Sequence, residues 1–147
     1  MKNMVVHWIF LAILTAFFYA LYNIFIKIAS GSIHEILGAV ILQMVAALLG
    51  GVLLLILKIR GTDMEISPRG IGLSVLAGIF VGLAEVFSFL VFAKGVPASA
   101  GIPVIIGGSV LFAGLIGLFF LREQFSFSAL LGLLFIIAGI YFLSRTS

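Results

Sequence analysis

Residues Gly70–Ala93 read GIGLSVLAGIFVGLAEVFSFLVFA. Within that run Glu85 is the one charged side chain. A helix crosses a bilayer core with roughly 20 consecutive apolar residues, and this run is long enough. A lone extended strand is ruled out, because its backbone N–H and C=O groups would find no partner in lipid. A helix satisfies them internally. The acid near its middle is then the feature that needs a reason.

The rest of the chain has the same character. Of 147 residues, 64% are hydrophobic and only 9% charged, with mean hydropathy +1.42. A soluble domain is usually about a quarter charged. So little polar material does not cover a water-facing surface, and the composition identifies an integral membrane protein. There are no cysteines and two histidines, His7 and His34, far apart. That excludes a disulfide framework, a thiolate metal site and a cysteine nucleophile. No H-E-x-x-H, Walker A, GxGxxG or GxSxG pattern occurs, so neither a metal nor a cofactor is expected. The isoelectric point is near 9.6 and the net charge +3. The basic residues sit mainly at the ends of apolar runs, where they set topology and touch headgroups. No nucleic-acid partner is expected.

Five apolar runs meet the length criterion: about Val5–Ile28, His34–Leu57, Gly70–Ala93, Ser99–Leu121 and Phe127–Leu143. The fold class is therefore all-α, a bundle of five transmembrane helices in a single domain over residues 1–147. The alternating ten-residue segments of a β-barrel are absent. The first run begins near Met4 and is longer than the roughly 7–15 residues of a signal-peptide core. It also carries Tyr19, Tyr22 and Asn23, and it reads as a retained helix. Connections are short, around Ser30-Gly31-Ser32, Gly95-Val96-Pro97 and Arg122-Glu123-Gln124; only Lys58–Arg69, with Gly61, Asp63, Glu65 and Pro68, is longer. With the N-terminus inside, Lys2, Lys58, Arg60, Arg69 and Arg122 fall on the inner side and Lys27, Lys94 and Arg145 on the outer. Five against three favours a cytoplasmic N-terminus in the plasma (inner, cytoplasmic) membrane, by a margin narrow enough to permit dual topology.

At 100° per residue, Trp8, Thr15, Tyr19, Tyr22 and Asn23 share one stripe of the first helix, with Lys27 at its edge. An interfacial Trp and a snorkelling Lys account for Trp8 and Lys27. Tyr19, Tyr22 and Asn23 lie deeper, where polar groups are expected to face protein or water. The third helix carries Gly70, Ser74, Gly78 and Gly82 at four-residue steps, a ladder that lets a second helix approach closely. The fourth is rich in small residues (Gly101, Gly107, Gly108, Ala113, Gly114, Gly117) and holds Pro103, so its first half suits a cavity or a flexible segment. Gly132 and Gly139 share one face of the fifth, which reads as a packing or dimerisation helix.

The stretch Phe92–Arg145, FAKGVPASAGIPVIIGGSVLFAGLIGLFFLREQFSFSALLGLLFIIAGIYFLSR, resembles the end of an EamA-type domain of the drug/metabolite transporter superfamily. It has a small-residue or proline turn, a glycine-rich helix, and a basic–acidic turn at Arg122-Glu123. A last helix follows with Gly132, Ala138 and Gly139. It is also similar to the last part of small multidrug resistance transporters. FYALYNIFIKIASG, Phe18–Gly31, looks like the first helix of both groups. Small multidrug resistance proteins carry an essential Glu in that helix, within Ala-Glu-Val; with Lys27 aligned, this chain has Tyr19 there. Ala84-Glu85-Val86 stands in the third helix instead, so that role is not carried over to Glu85 by motif. Five spans fit an EamA half better than a four-helix protein. The family has two such halves, and an odd helix number gives them opposite orientations. One half alone therefore implies a homodimer, antiparallel, or an oppositely oriented paralogous half.

For Glu85 two readings stay open. An ionised acid at a helix centre costs about 3 kcal/mol on insertion scales. Either Glu85 lines a substrate path and exchanges a proton or a cationic solute, or it is a protonated structural residue bonded to a Ser or a backbone carbonyl. Ser88 lies beside it. Gln43 is the second helix's deep polar side chain and a further candidate. Glu35 opens a helix, where its charge suits the dipole, and Glu123 is expected to pair with Arg122. The resemblance implies a secondary transporter half that moves a small organic metabolite or drug-like solute by alternating access. Its substrate or coupling candidates are Glu85, Tyr19, Tyr22, Asn23, Gln43 and Ser88. The alternative is a non-transporting membrane subunit or regulator, which the small-residue ladders suit equally well. No nucleophile–base pair or ligand cluster suggests an enzyme.

Overall fold

The structure, a computed structural model, describes residues 2–122, 124 and 126–145, with backbone alone for residues 2–7. The expected Arg122–Glu123 pair lies outside the described residues, because Glu123 does. Five helices follow in order: α1 (Lys2–Ala29), α2 (Glu35–Ile59), α3 (Pro68–Ala93), α4 (Ala98–Phe119) and α5 (Phe127–Ser144). All five are long and apolar enough to cross a membrane. No strand occurs among the described residues, only an isolated bridge between Ser30 and Ile33.

The starts of α2, α3 and α5 are set by side-chain capping rather than by hydropathy. α3 begins at Pro68, ahead of the apolar run, because Ser67 caps it: the Gly70 N–H donates to Ser67 Oγ at 3.0 Å. Pro68 occupies the first helical position, where its missing N–H has no intrahelical acceptor to lose. His34 caps α2 by accepting from the Ile36 N–H at Nδ1, 3.3 Å away. Glu35 in the first turn and Lys58 in the last each complement the helix dipole. Ser126 caps α5, taking the Ala129 N–H at 3.2 Å; at the other end the Arg145 backbone N–H donates to the Phe142 carbonyl at 3.2 Å, with its guanidinium 4.6 Å above the Tyr141 ring. α4 ends earlier than its apolar run. The chain turns there at Arg122, whose φ of +54° is a left-handed conformation uncommon for a residue with a Cβ.

The chain packs as two compact units. One holds α1 as far as Lys27 together with α4 and α5; the other, Ile28–Ala93, holds the end of α1, α2 and α3. In the second unit α2 packs on α3 at two places. The Phe89 ring lies so close to Gly38 that an added Cβ would meet its Cε1 and Cζ at 2.7 Å. A Cβ on Gly82 would stand 3.3 Å from Gln43 Oε1. Of the expected ladder, then, Gly82 meets a neighbouring helix within this unit. A Cβ on Gly70 would meet only Ser67 Oγ of its own cap, a Cβ on Gly78 nothing within 4 Å, and Ser74 is exposed. Ala39, Phe89 and Phe92 are buried.

In the first unit α4 packs on α5 through Gly107, where a Cβ would stand 3.0 Å from Ile140 Cδ1 and 3.2 Å from Ile136 Cγ2. Gly132 and Gly139 on α5 have nothing within 4 Å of a would-be Cβ, and α5 buries none of its described residues. Leu48, Phe80 and Phe135 are largely exposed, as apolar side chains are when lipid is the solvent. Lipid is as apolar as Leu, so packing rests on close van der Waals fit at small residues.

That dependence is testable. Phe89 is 3% exposed and has little freedom to move, so Gly38→Ala is expected to destabilise the detergent-solubilised protein by about 1–3 kcal/mol, the usual scale of overpacking. Phe89→Leu in the same background recovers most of it. Gly50→Ala, where a Cβ meets nothing within 4 Å, is expected to be neutral or slightly stabilising. Thermal melts of the three variants beside the wild type measure this.

Candidate solute site

A cavity of about 730 Å³ opens in the first unit between α1 and α4. Its α1 wall is Ala12, Thr15, Ala16, Tyr19, Ala20 and Asn23. Those positions step by three and four, the spacing that puts side chains on one helical face. Its α4 wall is Ile102, Pro103, Ile106 and Ser109, again one face. Alanines on α1 leave the space open, and the larger polar side chains stand between them.

Each polar group has a defined environment. Thr15 Oγ1 donates to the Leu11 carbonyl at 2.8 Å, and Ser109 Oγ to the Ile106 carbonyl at 2.7 Å. Such bonds along the helix are how a hydroxyl satisfies its proton in an apolar setting. Asn23 is 2% exposed and donates from Nδ2 to the Tyr19 carbonyl at 2.8 Å. Tyr19 is half-exposed and meets the Tyr22 ring edge-on, centroids 6.0 Å apart. Tyr22 lines a smaller recess of about 290 Å³ with Thr15, Phe18 and Tyr19. Pro103 sits inside α4; lacking an N–H, it donates no bond to the Ser99 carbonyl and weakens the helix locally.

The structure thus brings together Tyr19 and Asn23 of the residues singled out from sequence, with Thr15 from the same stripe and Tyr22 at the adjoining recess. Trp8 does not line the cavity and is exposed. Glu85, Ser88 and Gln43 belong to the α2–α3 unit. There Glu85 is 5% and Ser88 7% exposed, while Gln43 is half-buried against Gly82. Ala12, Ala16, Ala20 and Ser109 join the wall as well, though none is among the candidates that the sequence pattern singles out. The first three repeat at four-residue steps on the same stripe as Thr15 and Tyr19, so the same angular arithmetic finds them. Ser109 is a lone hydroxyl on a small-residue helix, and nothing in the sequence marks it. Among the described residues no group of three or more His, Cys, Asp or Glu is placed to hold a metal ion.

A cavity lined by hydroxyl, amide and phenol groups on membrane-crossing helices agrees with the comparison to known families. The model of the EamA-like transporter family matches residues 6–145. The chain belongs to the EamA-like transporter family. This EamA-like chain is also 35% identical over 79 residues to an uncharacterized transporter, YwfM, of Bacillus subtilis (strain 168). The matched stretch is 54% of the chain and 26% of that relative, so the chain matches about a quarter of the relative's length. No solved structure gives a significant match.

A water-accessible cavity has a chemical signature that this cysteine-free EamA-like protein makes easy to read. A thiol reacts as the thiolate, which apolar surroundings suppress. In membranes, Ala16→Cys and Ser109→Cys are expected to react with a small hydrophilic methanethiosulfonate at least roughly tenfold faster than Leu48→Cys, an exposed apolar position on α2. Equal rates at all three positions would show that water does not reach the α1–α4 cavity.

Proposed function

We propose that the chain is one half of a secondary transporter that moves a small organic metabolite or drug-like solute by alternating access. It works beside a second five-helix half in the opposite orientation, either another copy or a paralogous chain. The observation that carries this reading is the largely apolar α1–α4 cavity, with Thr15, Tyr19, Asn23 and Ser109 in its wall, in a member of a transporter family. The relative's size supports the pairing. If 79 residues are 26% of it, that protein has about 300 residues, roughly twice the 147 here. Two five-helix halves of opposite orientation place a solute site near the midplane, the recurrent arrangement of inverted-repeat transporters.

In this reading Tyr19, Asn23 and Thr15 hold the solute, and Tyr22 shapes the recess next to it. Pro103 gives α4 a point at which to bend between inward- and outward-facing states. Glu85 is the coupling group. A buried intramembrane acid is costly and commonly marks a proton or ion pathway, and Glu85 is buried with Ser88 next to it on α3. Gln43 holds the α2–α3 contact beside it. The protein acts on its solute without covalent chemistry and is not an enzyme. The membrane is the cytoplasmic one, and the narrow excess of inner-side basic residues allows both insertions of a single chain.

Proteoliposomes containing this protein alone test the proposal. A metabolite panel under an imposed pH gradient is expected to yield at least one accumulated solute. Ala16→Phe, which fills the cavity, is expected to reduce uptake about tenfold or more. Glu85→Gln is expected to remove accumulation yet retain exchange of solute down its own gradient. A protein that moves no solute across the panel, or one indifferent to both substitutions, would count against the reading. Reporters on the C-terminus, one active inside the cell and one outside, check orientation. Signal on both sides is expected if one chain supplies both halves, and on one side only if a paralogue supplies the other.

A further inference from the structure

Among the described residues, the lining of the α1–α4 cavity carries no charge. None of its ten residues is Asp, Glu, Lys, Arg or His. An ionised solute there would leave water without a counter-charge among these residues, and an unpaired charge in an apolar setting is expensive. Its hydrogen-bonding capacity leans toward acceptors, with the Tyr19 phenol able both to donate and to accept. Thr15 and Ser109 each give their hydroxyl hydrogen to a carbonyl of their own helix, at 2.8 and 2.7 Å. Toward the cavity each therefore has lone pairs and no proton. Asn23 gives one amide N–H to the Tyr19 carbonyl at 2.8 Å. Because a carbonyl can only accept, that bond identifies the amide nitrogen, and Oδ1 remains as a third acceptor with one N–H beside it. The Tyr19 ring, braced edge-on by Tyr22, supplies an aromatic surface. The volume of about 730 Å³ is in the range of small-molecule sites.

We propose that this cavity takes an uncharged ring compound bearing N–H or O–H donors. The donors meet the oxygens of Thr15, Ser109 and Asn23, and the ring lies against Tyr19. The inference rests on reading the cavity as a solute site and narrows that reading to a chemical class. A lipid acyl chain would fill the apolar part of the space but gain nothing from three acceptors. A permanent cation or anion would meet no opposite charge in the lining.

Four related probes separate these cases: indole, which donates one N–H; N-methylindole, which does not; tryptamine, a cation; and indole-3-acetate, an anion. Saturation-transfer NMR on the protein in lipid nanodiscs reads binding, with empty nanodiscs as the baseline for partition into lipid. Indole is expected to bind above that baseline. N-methylindole is expected to bind roughly five- to tenfold more weakly, the loss of about one hydrogen bond, and both ions more weakly again. Thr15→Val combined with Ser109→Ala is expected to shrink the gap between indole and N-methylindole to about twofold. Thr15→Ser, which keeps the oxygen, is expected to preserve it.

Tighter binding of either ion than of indole, or equal binding of indole and N-methylindole, would overturn the proposed class while leaving a solute site in place. If no probe exceeds the empty-disc baseline, or if phospholipid displaces them all, the proposal is overturned as well. Gradient-driven uptake in the proteoliposomes then decides separately whether the transport reading survives.

Discussion

Everything in this protein depends on one constraint: inside a bilayer, a backbone N–H or C=O that lacks a protein partner stays unsatisfied. Five helices absorb nearly all such groups internally. What is left over concentrates at the helix ends, and the caps there are specific. Ser67, Ser126 and His34 each accept an orphan N–H from the first turn of their helix. The same constraint governs the side chains. Thr15 and Ser109 turn their hydrogens onto carbonyls of their own helices, and Asn23 does so with its amide.

That economy of polar groups shapes the cavity. Once the hydroxyl protons of Thr15 and Ser109 are committed to backbone, their oxygens remain to face whatever enters. The alanines at 12, 16 and 20 keep the α1 wall low, and Pro103 interrupts the bonding of α4 opposite. The site is therefore largely apolar, uncharged and weighted toward acceptors. Its chemistry follows from how membrane helices satisfy themselves. The acid that stands out in the sequence, Glu85, belongs instead to the α2–α3 unit, buried with Ser88, Phe89 and Phe92 on the same helix.

Packing uses small residues sparingly. Gly38 admits the Phe89 ring, Gly82 the Gln43 side chain and Gly107 two isoleucines. The other glycines of the expected stripes, Gly78, Gly132 and Gly139, have open space at their Cβ positions. A four-residue repeat of small residues shows that a helix can be approached closely, but not which neighbour approaches. Van der Waals fit between two particular surfaces decides that, and either surface alone is silent about it.

The five helices were legible from hydropathy, because the transfer of about twenty apolar residues into lipid is a property of each segment by itself. The polar stripe of α1 was legible for a similar reason, since helical geometry places Thr15, Tyr19 and Asn23 on one face whatever surrounds them. Membership of the EamA-like family was visible in the order of turns and glycine-rich helices along the chain. Tertiary structure alone decided that the stripe faces α4, that Ser109 joins it while Trp8 does not, and that Gly38 matters more than Gly78. Those outcomes depend on which helices lie side by side. In a membrane every apolar face is equally well solvated by lipid, so hydropathy carries no information about the pairing.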